Sequence, residues 1–431
     1  MNRTYTYFSN LFLRSELLRS ASILISGTLI AQLISILLQP LLRRLFTPDA
    51  FGIYSVYLSL VGIILVASAL RYDDAIVLPK NDKESTNLLG LSLIFSFIIN
   101  SSILIIFLSA RDKILSFLNL PENFPASMLA LIPVGAFLFS VYGSLNAWLT
   151  RKKKYIAISV NKLIRRSMEG ASQVGLALLK IPNGLIYSDM IGQTANVATV
   201  AVQSKRSGLN LKQVSYTKLK YVFHKYSEFP KYNLVPALMS TCSYLLPPIF
   251  INKYFSPESA GFFDLSKLVL SIPLAFVAAS LTSVILQKVS EKFNKKESFI
   301  KDLKPVVILV GLIASSEILL IILFGEELFR IAFGKLWTAS GSISRIMVWS
   351  FAINFIVASF SNIFVAMRRI KTYSIWQFCY FLAIISLVFF KHLPLNQFLK
   401  TYVLIEVICY LAAAIILTTI IYRYESDLNR S

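Results

Sequence analysis

Long apolar runs recur along the whole chain, separated by short polar connectors. They cover about residues 21–42, 51–70, 86–108, 126–149, 156–179, 185–202, 233–250, 260–286, 305–324, 342–366, 372–390 and 397–422. A helix needs about 20 such residues to cross a hydrocarbon core. The pattern predicts an all-α integral membrane protein with about 12 transmembrane helices.

The fifth run departs from the others. Lys162, Arg165, Arg166 and Glu169 are spaced i, i+3, i+4, i+7, which puts four charges on one helical face. Excluding the three basic residues leaves only residues 167–179 before a polar Lys-Ile-Pro-Asn-Gly stretch, too short to span. The charged face therefore lies within the span, where it is costly unless it meets a watery cavity or a partner. The competing account tilts the helix, so that Lys162 and Arg165 snorkel to the interface.

The connectors alternate in charge. Residues 1–20, 71–85, 150–155, 203–232, 287–304, 367–371 and the tail hold about 28 Lys and Arg, and the opposite connectors about 10. This bias predicts that both termini are cytoplasmic. The longest connector divides the chain into an N-terminal half (1–204), a linker (205–232) and a C-terminal half (233–431). Its Lys, Tyr and Phe content fits either an interfacial helix or a solvated linker.

The halves repeat. Phe46-Thr47-Pro48-Asp49-Ala50-Phe51-Gly52-Ile53-Tyr54 joins runs one and two, and Phe255-Ser256-Pro257-Glu258-Ser259-Ala260-Gly261-Phe262-Phe263 joins runs seven and eight. In both, Pro opens a helix behind a hydroxyl residue, an acidic residue occupies its first turn, and Gly permits close approach. Arg151-Lys152-Lys153-Lys154-Tyr155 after run four matches Arg368-Arg369-Ile370-Lys371-Thr372-Tyr373 after run ten. Six spans per half is an even number, so the copies share one orientation. The expected architecture is two six-helix parallel repeats around a central cavity.

Composition narrows the class. The chain has 431 residues, 56% hydrophobic and only 15% charged, whereas soluble domains carry about 25% charge. A net charge of +21 would suggest nucleic acid on a soluble chain, but here the basic residues follow topology and no nucleic-acid partner is expected. Cys242, Cys379 and Cys409 each lie in an apolar run without CxxC spacing, and His224 and His392 are far apart, so no metal site is expected. Arg14 and Arg19 precede a run too long for a signal-peptide core, so no cleavable signal is expected.

Several stretches resemble bacterial polysaccharide (Wzx-type, O-antigen) flippases of the multidrug/oligosaccharidyl-lipid/polysaccharide exporter superfamily. They are Ser26-Gly27 through Gln39-Pro40-Leu41-Leu42-Arg43-Arg44-Leu45-Phe46-Thr47-Pro48, Phe51-Gly52-Ile53-Tyr54, and Ala69-Leu70-Arg71-Tyr72-Asp73-Asp74-Ala75-Ile76-Val77-Leu78-Pro79. Tyr226-Ser227-Glu228-Phe229-Pro230-Lys231-Tyr232, Gly261-Phe262-Phe263 and Ile272-Pro273-Leu274 extend the likeness into the second half. The family often has Glu after the Tyr where this chain has Asp73. The resemblance implies a V-shaped helical bundle in the bacterial inner membrane, functional as a monomer. It would flip undecaprenyl-diphosphate-linked oligosaccharide units for O-antigen, capsule or exopolysaccharide assembly, beside membrane lipids, a polymerase and other glycan-assembly proteins. No cofactor is implied, though H+ or Na+ could drive the cycle.

A lipid diphosphate needs cationic partners and water to cross hydrocarbon, and guanidinium binds phosphate oxygens bidentately. The candidate substrate-binding residues are Arg166, Arg165, Lys162, Lys267, Arg44 and Arg71. Arg44, with Arg43, ends run one on the outer side against the charge trend. For Arg71, a helix-end anchor beside Asp73 and Asp74 is the competing role. Glu169, Asp264, Glu317 and Glu406 are candidates for coupling or ion pairing; Glu169 would pair with Arg165 or Arg166, and Asp264 with Lys267 within one helix. Tyr142 and Trp148 could stack on sugars. A multidrug or cation antiporter of the same fold would favour an acidic cavity. A membrane polymerase or ligase would need a larger outer loop than residues 110–125, which offer only Asp112 and Glu122 as acids. No HExxH, DxD, GxSxG or P-loop occurs, so enzyme activity is not expected.

Overall fold

The computed structural model describes residues 16–120 and 125–428, with backbone alone at 16–25, 274, 275, 279, 280 and 283. Arg14 and Glu122 lie outside the described residues. The described chain is helical throughout. Its first half contains α1 (Glu16–Leu45), α2 (Pro48–Ser68), α3 (Asp82–Ser109), the short α4 (Arg111–Leu118), α5 (Ala126–Arg151), α6 (Tyr155–Leu178) and α7 (Gly184–Arg206). The connector helix α8 (Tyr216–Lys225) is followed by α9 (Leu234–Tyr254), α10 (Pro257–Leu270), α11 (Ala279–Lys295), α12 (Ile300–Phe333), α13 (Thr338–Phe360), a single turn α14 (Ile363–Ala366), α15 (Ile370–Ile385) and α16 (Leu395–Leu428).

Nine of the described helical segments are long and apolar enough to cross a membrane, those around α1, α2, α3, α5, α9, α12, α13, α15 and α16. The three remaining elements of spanning length depart for local reasons. Helix α6 carries the four-charge face, and α7 buries the polar residues Ser188, Asp189, Gln193 and Asn196. The eighth run, expected as one helix over 260–286, is divided into α10 and α11 by a widened turn at Leu274–Ala278. Pro273 has no N–H to continue the ladder, so the break falls beside it.

The helix starts follow the sequence signals. Pro48 opens α2 with Asp49 in its first turn. Pro257 opens α10, where the Ser256 side chain accepts from Ser259 N at 3.0 Å. The two basic connectors match as well: each turns through one left-handed residue, Lys153 (φ 54°) or Arg368 (φ 58°), two residues before the next helix.

The chain divides into two compact units. One comprises Met1–Phe46 and Tyr57–Thr241; the other comprises Thr47–Val56 and Cys242–Ser431. In the first, α3 packs on α5, α5 on α7, and α6 on both α1 and α7. In the second, α12 packs on α13, α13 on α16, and α15 on α16. Three helix pairings thus recur in corresponding positions, as an internal repeat requires. The second unit also contains the paired repeat motifs. A Cβ at Gly52 would overlap the Pro257 carbonyl oxygen, and one at Gly261 would overlap the Pro48 carbonyl oxygen.

The connectors assigned to one membrane face meet within each unit. Asp82 pairs with Arg151 (3.1 Å) and Lys152 (2.5 Å), Glu84 pairs with Lys225 (2.6 Å), and Tyr72 donates to Phe223 O (2.9 Å). Helix α8 is thereby fixed to α3 with Val222 inward and Tyr216 and Tyr221 exposed, the form of an interfacial helix. The Glu84 hydrogen bond holds the Lys225 ammonium well above its ordinary pKa. In the second unit Phe299 N donates to Glu425 (3.1 Å) and Tyr424 to Glu297 O (3.1 Å).

Candidate functional site

Helix α6 carries Lys162, Arg165 and Arg166 into a cavity of about 240 Å³ in the first unit, lined also by Thr28 and Gln32 of α1, Tyr142 of α5 and Asn196 of α7. Arg165 lies about 15 Å from the nearer end of α6 at 1.5 Å per residue. Its side chain is only 19% exposed and pairs at 3.1 Å with Asp189, which is fully buried. The snorkelling account does not fit a guanidinium anchored inward in this way. The guanidinium also lies over the Phe139 ring, 4.5 Å from its centroid.

The other charges on this face have defined partners. Arg166 pairs with Glu169 at 2.9 Å, and Glu169 is buried. Lys162 donates to Thr28 Oγ1 at 2.7 Å. Gly192 of α7 makes the arrangement sterically feasible, because a Cβ there would come within 2.8 Å of Glu169 Cβ and 3.1 Å of the Arg165 carbonyl. The two helices therefore close to near backbone contact beside the charged face.

The layer behind these cations was not singled out from the sequence. Tyr57 donates to Asp189 at 3.1 Å, so Asp189 accepts from both a phenol and a guanidinium. Further along the same face of α7, Gln193 and Asn196 are buried, and Gln193 Oε1 and Nε2 and Asn196 Oδ1 make no hydrogen bond among the described residues. Asn161 donates to Gln203 at 2.8 Å at the next level. A run of Ser188, Asp189, Gln193 and Asn196 in an otherwise apolar span was the available signal. Of the proposed stacking residues, Tyr142 lines the cavity, whereas Trp148 is fully buried in a hydrophobic cluster with Tyr72 and Leu89.

The remaining candidates lie elsewhere. Arg44 is exposed at the end of α1 and does not line the cavity; the buried member of the pair is Arg43, which donates to Gln39 at 3.2 Å. Arg71 has left-handed backbone (φ 63°) before a 3-10 turn and pairs with Asp74 at 2.7 Å, which is the helix-end anchor role. Lys267 is in the second unit. It donates to Tyr244 O at 2.6 Å and sits 3.3 Å from the centroid of the Tyr244 ring. The Lys267 ammonium interacts electrostatically with Asp264 and Glu406. Glu406 is buried and accepts from Tyr380 at 2.9 Å. Glu317 is half-buried midway along α12, and its Oε2 makes no hydrogen bond among the described residues. No cluster of potential metal ligands occurs among the described residues.

A family model described as "polysaccharide biosynthesis protein" matches residues 41–342. The chain belongs to this family. Among solved structures it is similar to an inward-facing multidrug resistance MATE family transporter of the MOP superfamily, with TM-score 0.71 and 16% identity over 93% of this chain and 96% of that one. It is also similar to the lipid II flippase MurJ in an inward closed conformation, with TM-score 0.71 and 14% identity over 92% and 87% of the two chains. At these identities the likeness shows the fold alone, which this chain shares with both structures. No curated protein matches the sequence.

Proposed function

We propose that this protein flips lipid-diphosphate-linked oligosaccharide units across the bacterial inner membrane for cell-surface polysaccharide assembly, with both termini cytoplasmic. One observation carries this reading. The cavity within the first unit is lined by three cations, Lys162, Arg165 and Arg166, and by no carboxylate among the described residues. A cationic drug would be repelled there, whereas a diphosphate gains charge-assisted, forked hydrogen bonds in a region where charge is otherwise costly.

The carboxylates one layer behind, Asp189 and Glu169, hold the guanidiniums in place while the cavity is empty. An entering phosphate competes for the same N–H groups, so binding is an exchange of partners rather than the filling of a bare charge. This limits how tightly the anion is held and favours its release. Asn196 and Tyr142 add the amide and aromatic surface that sugars use. Membrane-polysaccharide polymerases would be partners downstream, and Glu406 or Glu317 in the second unit would take up H+ or Na+ in coupling.

The test is surface glycan display by cells whose only copy carries Arg165→Ala with Arg166→Ala, measured beside membrane levels of the protein. Display should be lost; because Arg165→Ala also strands the buried Asp189, Arg165→Gln with Asp189→Asn, which leaves no charge unpaired, should lose display as well while membrane levels are kept. Arg166→Ala alone, at the more exposed ion pair, should reduce display without disturbing the fold. Normal display from these variants would exclude the cavity as the route.

A further inference from the structure

A second cavity, of about 400 Å³, lies in the other unit between α11, α15 and α16. Its two ends differ in chemistry. One presents Arg369, Thr372, Arg423 and Asp427; the other presents Ile415, Ile416 and Ile420. Seven residues separate Ile416 from Arg423 on α16, which is about 10 Å of depth at 1.5 Å per residue. The cavity is therefore polar where α16 ends and apolar where it runs inward, the profile of the boundary between headgroups and acyl chains.

Among the described residues, no side-chain hydrogen bond or ion pair engages Arg369, Arg423 or Asp427. Two guanidiniums thus share a concave site with their donors unspent. Thr372 is the third residue of α15, whose opening N–H groups lack partners in the helix and favour an anion. Basic pockets between spanning helices recognise lipid headgroups in this way. Asp427 restricts which headgroup fits: it opposes a bare phosphate and accepts from an ammonium.

We propose that this cavity binds an aminophospholipid of the surrounding leaflet. Its phosphate lies between Arg369 and Arg423, its ammonium at Asp427, and an acyl chain along Ile415, Ile416 and Ile420. The site is separate from the substrate cavity, and the proposal does not depend on the transported molecule.

The experiment uses the full chain in detergent, with short-chain phosphatidylethanolamine, phosphatidylglycerol and phosphatidylcholine and a polyprenyl phosphate as probes, read by native mass spectrometry and thermal shift. Phosphatidylethanolamine should bind most tightly. Arg369→Gln with Arg423→Gln should weaken it by about a hundredfold, about tenfold for each lost charge-assisted bond. Asp427→Asn should weaken phosphatidylethanolamine about tenfold and leave phosphatidylglycerol unchanged. Ile416→Trp, which keeps every charge and fills the apolar end, should also abolish binding, and unchanged binding by this variant would overturn the placement of the acyl chain. Equal phosphatidylethanolamine binding by the wild type and the double arginine variant would overturn the assignment. So would tighter binding of polyprenyl phosphate or phosphatidylglycerol, which would return the cavity to another ligand.

Discussion

Asp189 is the residue on which the cationic face depends. It is fully buried and accepts from Tyr57 and Arg165, so its charge is compensated only while both remain. Removing one partner of a buried pair typically costs about 3–5 kcal/mol, because the other charge is left without compensation. Asp189→Asn should therefore lower thermal stability markedly in detergent. Adding Arg165→Gln to Asp189→Asn should restore much of that loss, since no charge is then stranded. A double variant less stable than Asp189→Asn alone would show that the two side chains do not act as a pair. The sequence pointed to the basic side of this site because Lys162, Arg165 and Arg166 stand out against an apolar background and so reveal which way the helix faces. It could not reveal Asp189 as their partner, since spacing within one helix says nothing about which helix lies opposite. Arg44 illustrates the other limit. Leu41, Leu42, Leu45 and Phe46 flank the pair on both sides, and only Gln39, one turn before Arg43 and its hydrogen-bond partner, separates Arg43, the one buried, from Arg44.

Helices were more legible than their interruptions. Runs near 20 apolar residues located every element of spanning length, and the two Thr/Ser-Pro-acid motifs marked the starts of α2 and α10. The division of α10 from α11 was missed because a proline in an apolar run can kink a helix or end it, and packing decides which. The small residues in the repeated motif carry more weight than their size suggests. Gly52 and Gly261 each lie against a carbonyl oxygen of the other motif's opening proline, and backbone cannot move aside as a side chain can. Gly52→Val should accordingly destabilise the protein by about 1–3 kcal/mol or more. Ile53→Val, one position away on the same helix, should cost about 0.5–1.5 kcal/mol. Denaturation midpoints of the two variants should separate in that order, and equal midpoints would mean the glycine contact is relaxed in the folded protein.

Charge and connectivity together fix what the complete chain can be asked about orientation. Within the first unit the connectors after α2, α5 and α7 meet through Asp82, Arg151, Lys152, Glu84 and Lys225. Within the second, the connector after α11 meets the end of α16. These are the connectors rich in Lys and Arg, and the helices between them return the chain to the opposite, charge-poor face. Since positive residues in short loops are retained on the cytoplasmic side, the sequence bias and the contacts predict one topology. The native Cys242, Cys379 and Cys409 must first be replaced, because Cys379 is exposed and would react itself. In that background Pro182→Cys, exposed in the turn between α6 and α7, should react with an impermeant maleimide on intact spheroplasts. Ser298→Cys, exposed between α11 and α12, should react only after the membrane is opened. The reverse labelling would turn the protein over and make the lipid cavity near Arg423 face the outer leaflet. Labelling of both positions from outside would break the alternation itself, and with it the count of spans separating the two sites.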